Sequence, residues 1–70
     1  MKLSFVTNDK TVKIKSILGG KRLKQRLEEI GIIPGKTVTV LQTGPGPILI
    51  KVDNHKIGLG FGEALKIEVE

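Results

Sequence analysis

Ten residues, Arg26 to Gly35 (Arg-Leu-Glu-Glu-Ile-Gly-Ile-Ile-Pro-Gly), constrain this chain more than any other stretch. They read as the end of an amphipathic helix, a glycine stop, two apolar residues and a Pro-Gly turn into a strand. Leu23, Leu27 and Ile30 recur at i, i+4 and i+7, so residues 21–30 carry one apolar stripe of a helix. Gly31 suits the left-handed position after a helix, where a Cβ clashes. Pro34-Gly35 suits the centre of a type II turn, proline fixing φ and glycine supplying the positive φ. Leu27, Ile30, Gly31, Pro34 and Gly35 are therefore read as scaffold.

The rest of the chain reads as short strands around this unit. Residues 11–18 alternate, with Val12 and Ile14 on one face and Lys13 and Lys15 on the other. Residues 37–42 alternate through Val38 and Val40. Ile48, Ile50 and Val52 mark the next strand, Asp53-Asn54 a two-residue hairpin turn, and residues 55–59 the return. Gly60-Phe61-Gly62 reads as a kink or bulge, and residues 63–65 as one helical turn. Residues 66–69 form the last strand, with Ile67 and Val69 inward. The order β-α-β-β-β with short connections excludes a doubly wound parallel sheet and implies an antiparallel meander. The fold class is mainly β: one domain over residues 1–70, a small half-open antiparallel barrel of about five strands with one α-helix.

A 70-residue chain buries only about 60% of its unfolded surface, so the core is thin. With no cysteine it has neither a disulfide nor a thiolate metal site, and its aliphatic residues must carry the fold. No apolar run approaches the roughly 18 residues of a membrane span, and residues 1–5 lack the apolar core of a signal peptide. A cytoplasmic protein without direct membrane insertion is the expectation. Residues 1–36 hold nine Lys/Arg against Asp9, Glu28 and Glu29, a balance of +6, whereas residues 37–70 hold three Lys against four acids, or −1. A basic half attracts nucleic acid, anionic lipid or an acidic protein surface.

Several pieces, in this order and spacing, resemble a known family: Arg26-Leu27 through Gly31, Pro34-Gly35, Gly46-Pro47, the strand at Ile57 to Leu59 and the ending from Ala64 to Val69. Over about residues 11–70 the chain resembles FeoA, the small protein of bacterial ferrous-iron uptake. It is also similar to the related SH3-like C-terminal domain of DtxR-type metal-dependent repressors. The resemblance implies an SH3-like barrel and an accessory role in iron transport. The implied partner is FeoB, the membrane ferrous-iron transporter with a cytosolic GTPase domain. Two departures stand out. Gly60 follows Leu59 where the family often has arginine, and Asn8-Asp9-Lys10 replaces an opening Pro-Gly turn.

No residue set supports catalysis, so the chain is read as a non-enzyme. His55 is the lone histidine, at a turn; Ser4 and Ser16 lack a base; and Glu28 and Glu29, adjacent on a helix, point about 100° apart. A stable metal site needs three or four converging ligands, and neither Asp53 with His55 nor Glu28 with Glu29 supplies them, so no metal and no cofactor is expected. The Gly44-Pro45-Gly46-Pro47 loop lacks the lysine and following helix of a phosphate loop. The helix itself is more informative. Lys21, Arg22 and Lys24 crowd its N-terminus and Glu28-Glu29 its C-terminus, against the macrodipole, each charge costing about 0.3–1 kcal/mol. Such a helix depends on its apolar stripe, and its basic end is read as a surface for an acidic partner. The expected contact face is Lys21, Arg22, Lys24 and Arg26 with the apolar loop Ile32-Ile33-Pro34, Arg22 or Arg26 being a candidate arginine finger in trans. Two alternatives stand beside this reading: a nucleic-acid-binding small barrel, and a metal-responsive SH3-like regulatory domain of the DtxR type. The pI near 9.8 fits nucleic acid. Stacking aromatics are nearly absent, Phe5 and Phe61 being the only two, so no nucleic acid is expected.

Overall fold

The computed structural model describes all 70 residues. Its regular elements are β1 (Thr11–Ile17), α1 (Lys21–Glu29), β2 (Thr37–Gln42), β3 (Ile48–Val52), β4 (His55–Leu59), α2 (Phe61–Ala64) and β5 (Ile67–Val69). One antiparallel sheet has the order β4-β3-β2-β1-β5. Its two end strands do not pair with each other, which leaves the half-open barrel the meander implies.

β1 bends to serve both halves of this sheet. Thr11–Lys13 pair with β2, Ile14–Ile17 pair with β5, and the register shifts between Ile14 and Ser16. This bulge breaks strict alternation, so Ile14 and Ile17 are both buried although they lie an odd three positions apart. Asp53 and Asn54 adopt φ of 48° and 69° and close the β3–β4 hairpin, as a turn with two left-handed central residues demands.

The stretch after α1 is fixed by backbone bonding. The Ile32 N–H donates to the Leu27 carbonyl at 2.9 Å and the Gly31 N–H to the Glu28 carbonyl at 3.0 Å. With Gly31 at φ 91°, this is a Schellman stop, in which the residue after the glycine packs back on the last helical turn. Leu27 and Ile32 are both fully buried. The Lys36 N–H then donates to the Ile33 carbonyl at 3.1 Å across Pro34-Gly35, with Gly35 at φ 92°, closing the type II turn.

Fifteen residues form the core, every one apolar, drawn from all five strands, from α1 and α2, from the α1–β2 connection and from the N-terminal segment. That segment has no pattern that marks it in the sequence. It makes a 3₁₀ turn over Leu3–Phe5, and Leu3 and Val6 are buried. Three expectations need correction. Ile30 ends α1 as its C-cap and stays 40% exposed, because the chain turns at Gly31 and sends Ile32 inward instead. Gly60-Phe61-Gly62 is not a bulge: Gly60 is the N-cap and Phe61 the first residue of α2. Asn8 and Asp9 do form a turn, and the Asn8 Oδ1 accepts from the Thr43 N–H and hydroxyl, both at 2.9 Å, tying two loops together. Leu18 lies outside β1, and is 42% exposed.

The N-terminal segment is held electrostatically as well. Glu68 on β5 accepts the Met1 ammonium at 3.2 Å and the Lys2 ammonium at 2.9 Å. The Lys2 hydrogen bond, then that of the Met1 ammonium, pulls the Glu68 carboxyl below its ordinary value. A carboxyl depressed in the folded state stabilises the fold above the unfolded pKa, and that contribution disappears as pH falls through the folded value. Glu68→Gln is therefore expected to lower the melting temperature at pH 7 and to converge with the wild type in acid. Thermal unfolding across pH 2–7 checks this; parallel curves throughout would contradict it.

Candidate functional site

α1 presents its cations because its one apolar stripe is narrow. Leu27 is buried and Leu23 packs partly against the core, which leaves the remaining circumference in water. Lys21, Arg22, Lys24 and Arg26 are all exposed. Gly20 caps the helix without a side chain and no acid sits in the first turn. The positive charge at the N-terminal end is thus uncompensated within the helix.

The structure separates these cations into two flanks. On one flank Lys24 and Glu28, one turn apart, rim a shallow cleft of about 260 Å³ whose other wall is Ser16, Ile33 and Pro34. Ile17 and Ile32 form its floor. On the other flank Arg22 and Arg26, with Leu23 and Gly20, line a separate and more open hollow of about 400 Å³. Lys21, Arg22 and Lys24 make no ion pair within the chain.

Two sequence expectations change here. Ile32 is fully buried; of the expected apolar loop only Ile33, 39% exposed, and Pro34 lie at the surface. Arg26 is already engaged, its guanidinium paired with the Glu63 carboxylate of α2. The other Glu63 oxygen accepts the Gly60 N–H at 3.0 Å. This is the glutamate half of a capping box, Gly60 having no side chain to supply the other half. Glu63 thus joins the two helices, a role missed from sequence because Gly-x-x-Glu is a far weaker cap signal than Ser/Thr-x-x-Glu. Glu63→Ala should lower stability by about 1 kcal/mol, the sum of a lost cap and an exposed ion pair. A melting temperature lower by about 4–8 °C would register it; an unchanged one would show that the contact is not formed in solution.

The other candidate side chains stand apart. His55 is exposed at the start of β4, and the Asp53 carboxylate accepts the Lys36 ammonium at 2.6 Å rather than facing the histidine. No three His, Asp or Glu side chains gather at one point. The Gly44–Pro47 loop is exposed and leaves β2 at the end opposite the one that α1 leads into. No helix is long and apolar enough to cross a membrane.

A family model, the FeoA domain, matches residues 1–70. The chain belongs to the FeoA family. It is 35% identical over 68 residues to the putative Fe(2+) transport protein A of Methanocaldococcus jannaschii, covering 97% of this chain and 83% of that protein. It is 34% identical over 73 residues to a Fe(2+) transport protein A/Fe(2+) transporter FeoB fusion protein of Porphyromonas gingivalis, spanning all of this chain and 8% of the fusion. Among solved structures, an iron uptake regulatory protein (FeoA) superposes with a TM-score of 0.95 at 34% identity, covering 100% of this chain and 95% of that one. A zinc-complexed FeoA of Stenotrophomonas maltophilia, described as a procaryotic SH3 domain protein, superposes at 0.87 with 25% identity, over 100% of this chain and 89% of that one. The manganese regulator SloR shares the fold alone, at 19% identity and a TM-score of 0.88 over 34% of its chain. The SH3-like fold of the family is thereby shown, the regulator has that fold in common, and the family match reaches back through the N-terminal segment.

Proposed function

We propose that this chain is an accessory protein of ferrous-iron uptake that binds the cytosolic GTPase part of a FeoB-type transporter. The observation that carries this reading is the Porphyromonas gingivalis fusion, in which a FeoA-like segment and a FeoB transporter share one polypeptide. Fusion holds two modules at about millimolar effective concentration, which suits partners that otherwise meet weakly. The α1 face supports the reading from the side of this chain. Lys21, Arg22 and Lys24 are free of internal partners, and Ile33 and Pro34 stand beside them as an apolar contact. A small patch of this kind, cations around a short apolar strip, is suited to a transient interface steered by charge.

Isothermal titration of the purified chain into the isolated GTPase part of a FeoB-type transporter tests the proposal. Saturable binding that weakens with rising salt is expected. Absence of binding with both proteins near 100 μM, about the limit for a useful transient complex, would overturn it. Because Arg26 is tied to Glu63, Arg22 is the better placed of the two candidate arginine fingers. Arg22→Ala is expected to lower any stimulation of GTP hydrolysis more than it lowers binding.

A further inference from the structure

The two ends of the sheet are treated differently. At β5 the N-terminal segment covers the edge: Lys2 bridges Glu68, and the Val69 N–H donates to the Met1 carbonyl at 2.7 Å. At the other end β4 pairs only with β3, and no turn or loop backbone bonds to residues 55–59. In a two-residue hairpin the residues flanking the turn form a hydrogen-bonded pair, and the pairs alternate from there. Val52–His55, Ile50–Ile57 and Ile48–Leu59 are the bonded pairs, so Lys56 and Gly58 turn their N–H and C=O groups outward.

Lys51 and Lys56 lie directly opposite each other across β3 and β4, both exposed, on the face away from the core. Like charges so placed repel, most strongly in a non-hydrogen-bonded pair, where side chains approach closest. No carboxylate of the chain relieves them. Asp53, the acid nearest in sequence, is held by Lys36, and the other ion-paired acids, Glu63 and Glu68, serve α1 and the N-terminus.

We propose that the outer edge of β4 accepts an extended acidic segment of a partner protein as a sixth strand. The outward groups of Lys56 and Gly58 supply the ladder, Gly58 leaves room for the incoming backbone, and Lys51 and Lys56 receive a carboxylate from the added strand. Lysine on an edge ordinarily deters pairing with further copies of the same chain. Here the net charge of +5 and the unmatched lysines deter a second copy while leaving the edge open to an acidic strand. The site lies on a different element from α1, so it stands or falls apart from the function proposed above.

The test uses the full chain, ¹⁵N-labelled, titrated with a synthetic peptide alternating Glu with Val and Thr. A twin carrying Lys for Glu and a thymidine oligonucleotide are the comparisons. Binding of the acidic peptide alone is expected, with the Lys56 and Gly58 amides gaining protection from hydrogen exchange. Lys56→Glu places an acid opposite Lys51, keeps the fold and should weaken the peptide by about tenfold or more. Gly58→Pro keeps both lysines but removes an outward donor. A Cβ here meets only the Pro47 Cβ at 3.9 Å, φ is not left-handed, and the N–H faces outward from an edge strand, where proline is tolerated, so the variant is expected to fold. It should abolish binding. Equal binding of the lysine twin, preference for the oligonucleotide, protection elsewhere, indifference to Lys56→Glu, undiminished binding to folded Gly58→Pro, self-association through β4, or no binding at millimolar peptide would each overturn the proposal.

Discussion

Leu27→Ala should lower the stability of the domain by about 3 kcal/mol, within the range of roughly 2–5 for truncating a buried leucine. Leu27 is the single fully buried residue of α1, and it is also the residue to which Ile32 returns through the Schellman bond. Its removal both opens a cavity and loosens the contact that aims the chain from α1 into β2. A domain of this size has a stability of about 5–15 kcal/mol in total, so the loss is a large share. The melting temperature should fall by about 15 °C. Leu27→Met, which keeps the volume, should cost less than about 1.5 kcal/mol. Ile30→Ala is the internal control: Ile30 belongs to the same apolar stripe in sequence but is exposed, and its loss should be small. Urea and thermal unfolding of the three variants measure these losses. Comparable losses for Leu27→Ala and Ile30→Ala would contradict the geometry of the helix stop.

The triple reversal Lys21→Glu, Arg22→Glu, Lys24→Glu should weaken binding to the GTPase part by about a hundredfold while leaving the fold intact or improving it. Each reversal replaces an attraction across the proposed interface by a repulsion, and the three together exceed what any one rim charge contributes. The same changes put acids into the first turn of α1, where the helix dipole favours them by about 0.3–1 kcal/mol each. Stability and binding should thus move in opposite directions, which misfolding cannot imitate. The measurement is a paired one, thermal unfolding and titration on one sample. A variant that is more stable and binds as the wild type does would remove α1 from the interface.

Much of the fold is legible in the chain because its signals are local. β3 and β4 begin and end where alternation meets Pro, Gly or Asp-Asn, and β2 within one residue of a glycine at each end; proline fixes φ, and the others tolerate a positive one. Gly31 and Pro34-Gly35 are legible for the same reason. Ile30 is not, since periodicity alone extends the stripe from Leu23 and Leu27 and cannot show that the backbone leaves the helix one residue early. Which of Ile30 and Ile32 enters the core is settled by the Schellman bonds, a feature of three dimensions. The 3₁₀ turn over Leu3–Phe5 and the four-residue α2 are too short to display a period. In the candidate site the cation cluster is plain in the sequence. Its division between two flanks, the burial of Ile32 and the capture of Arg26 by Glu63, 37 residues away, follow from packing that no spacing rule encodes.

On the proposed function, the basic face of α1, with Ile33 and Pro34, meets the GTPase part of a FeoB-type transporter. Amide hydrogen exchange of the intact chain, with and without that part at saturating concentration, tests it most directly. Added protection over residues 21–26 and at Ile33, with residues 44–47 unchanged, is the predicted result. A complex in which α1 exchanges as it does alone would contradict it.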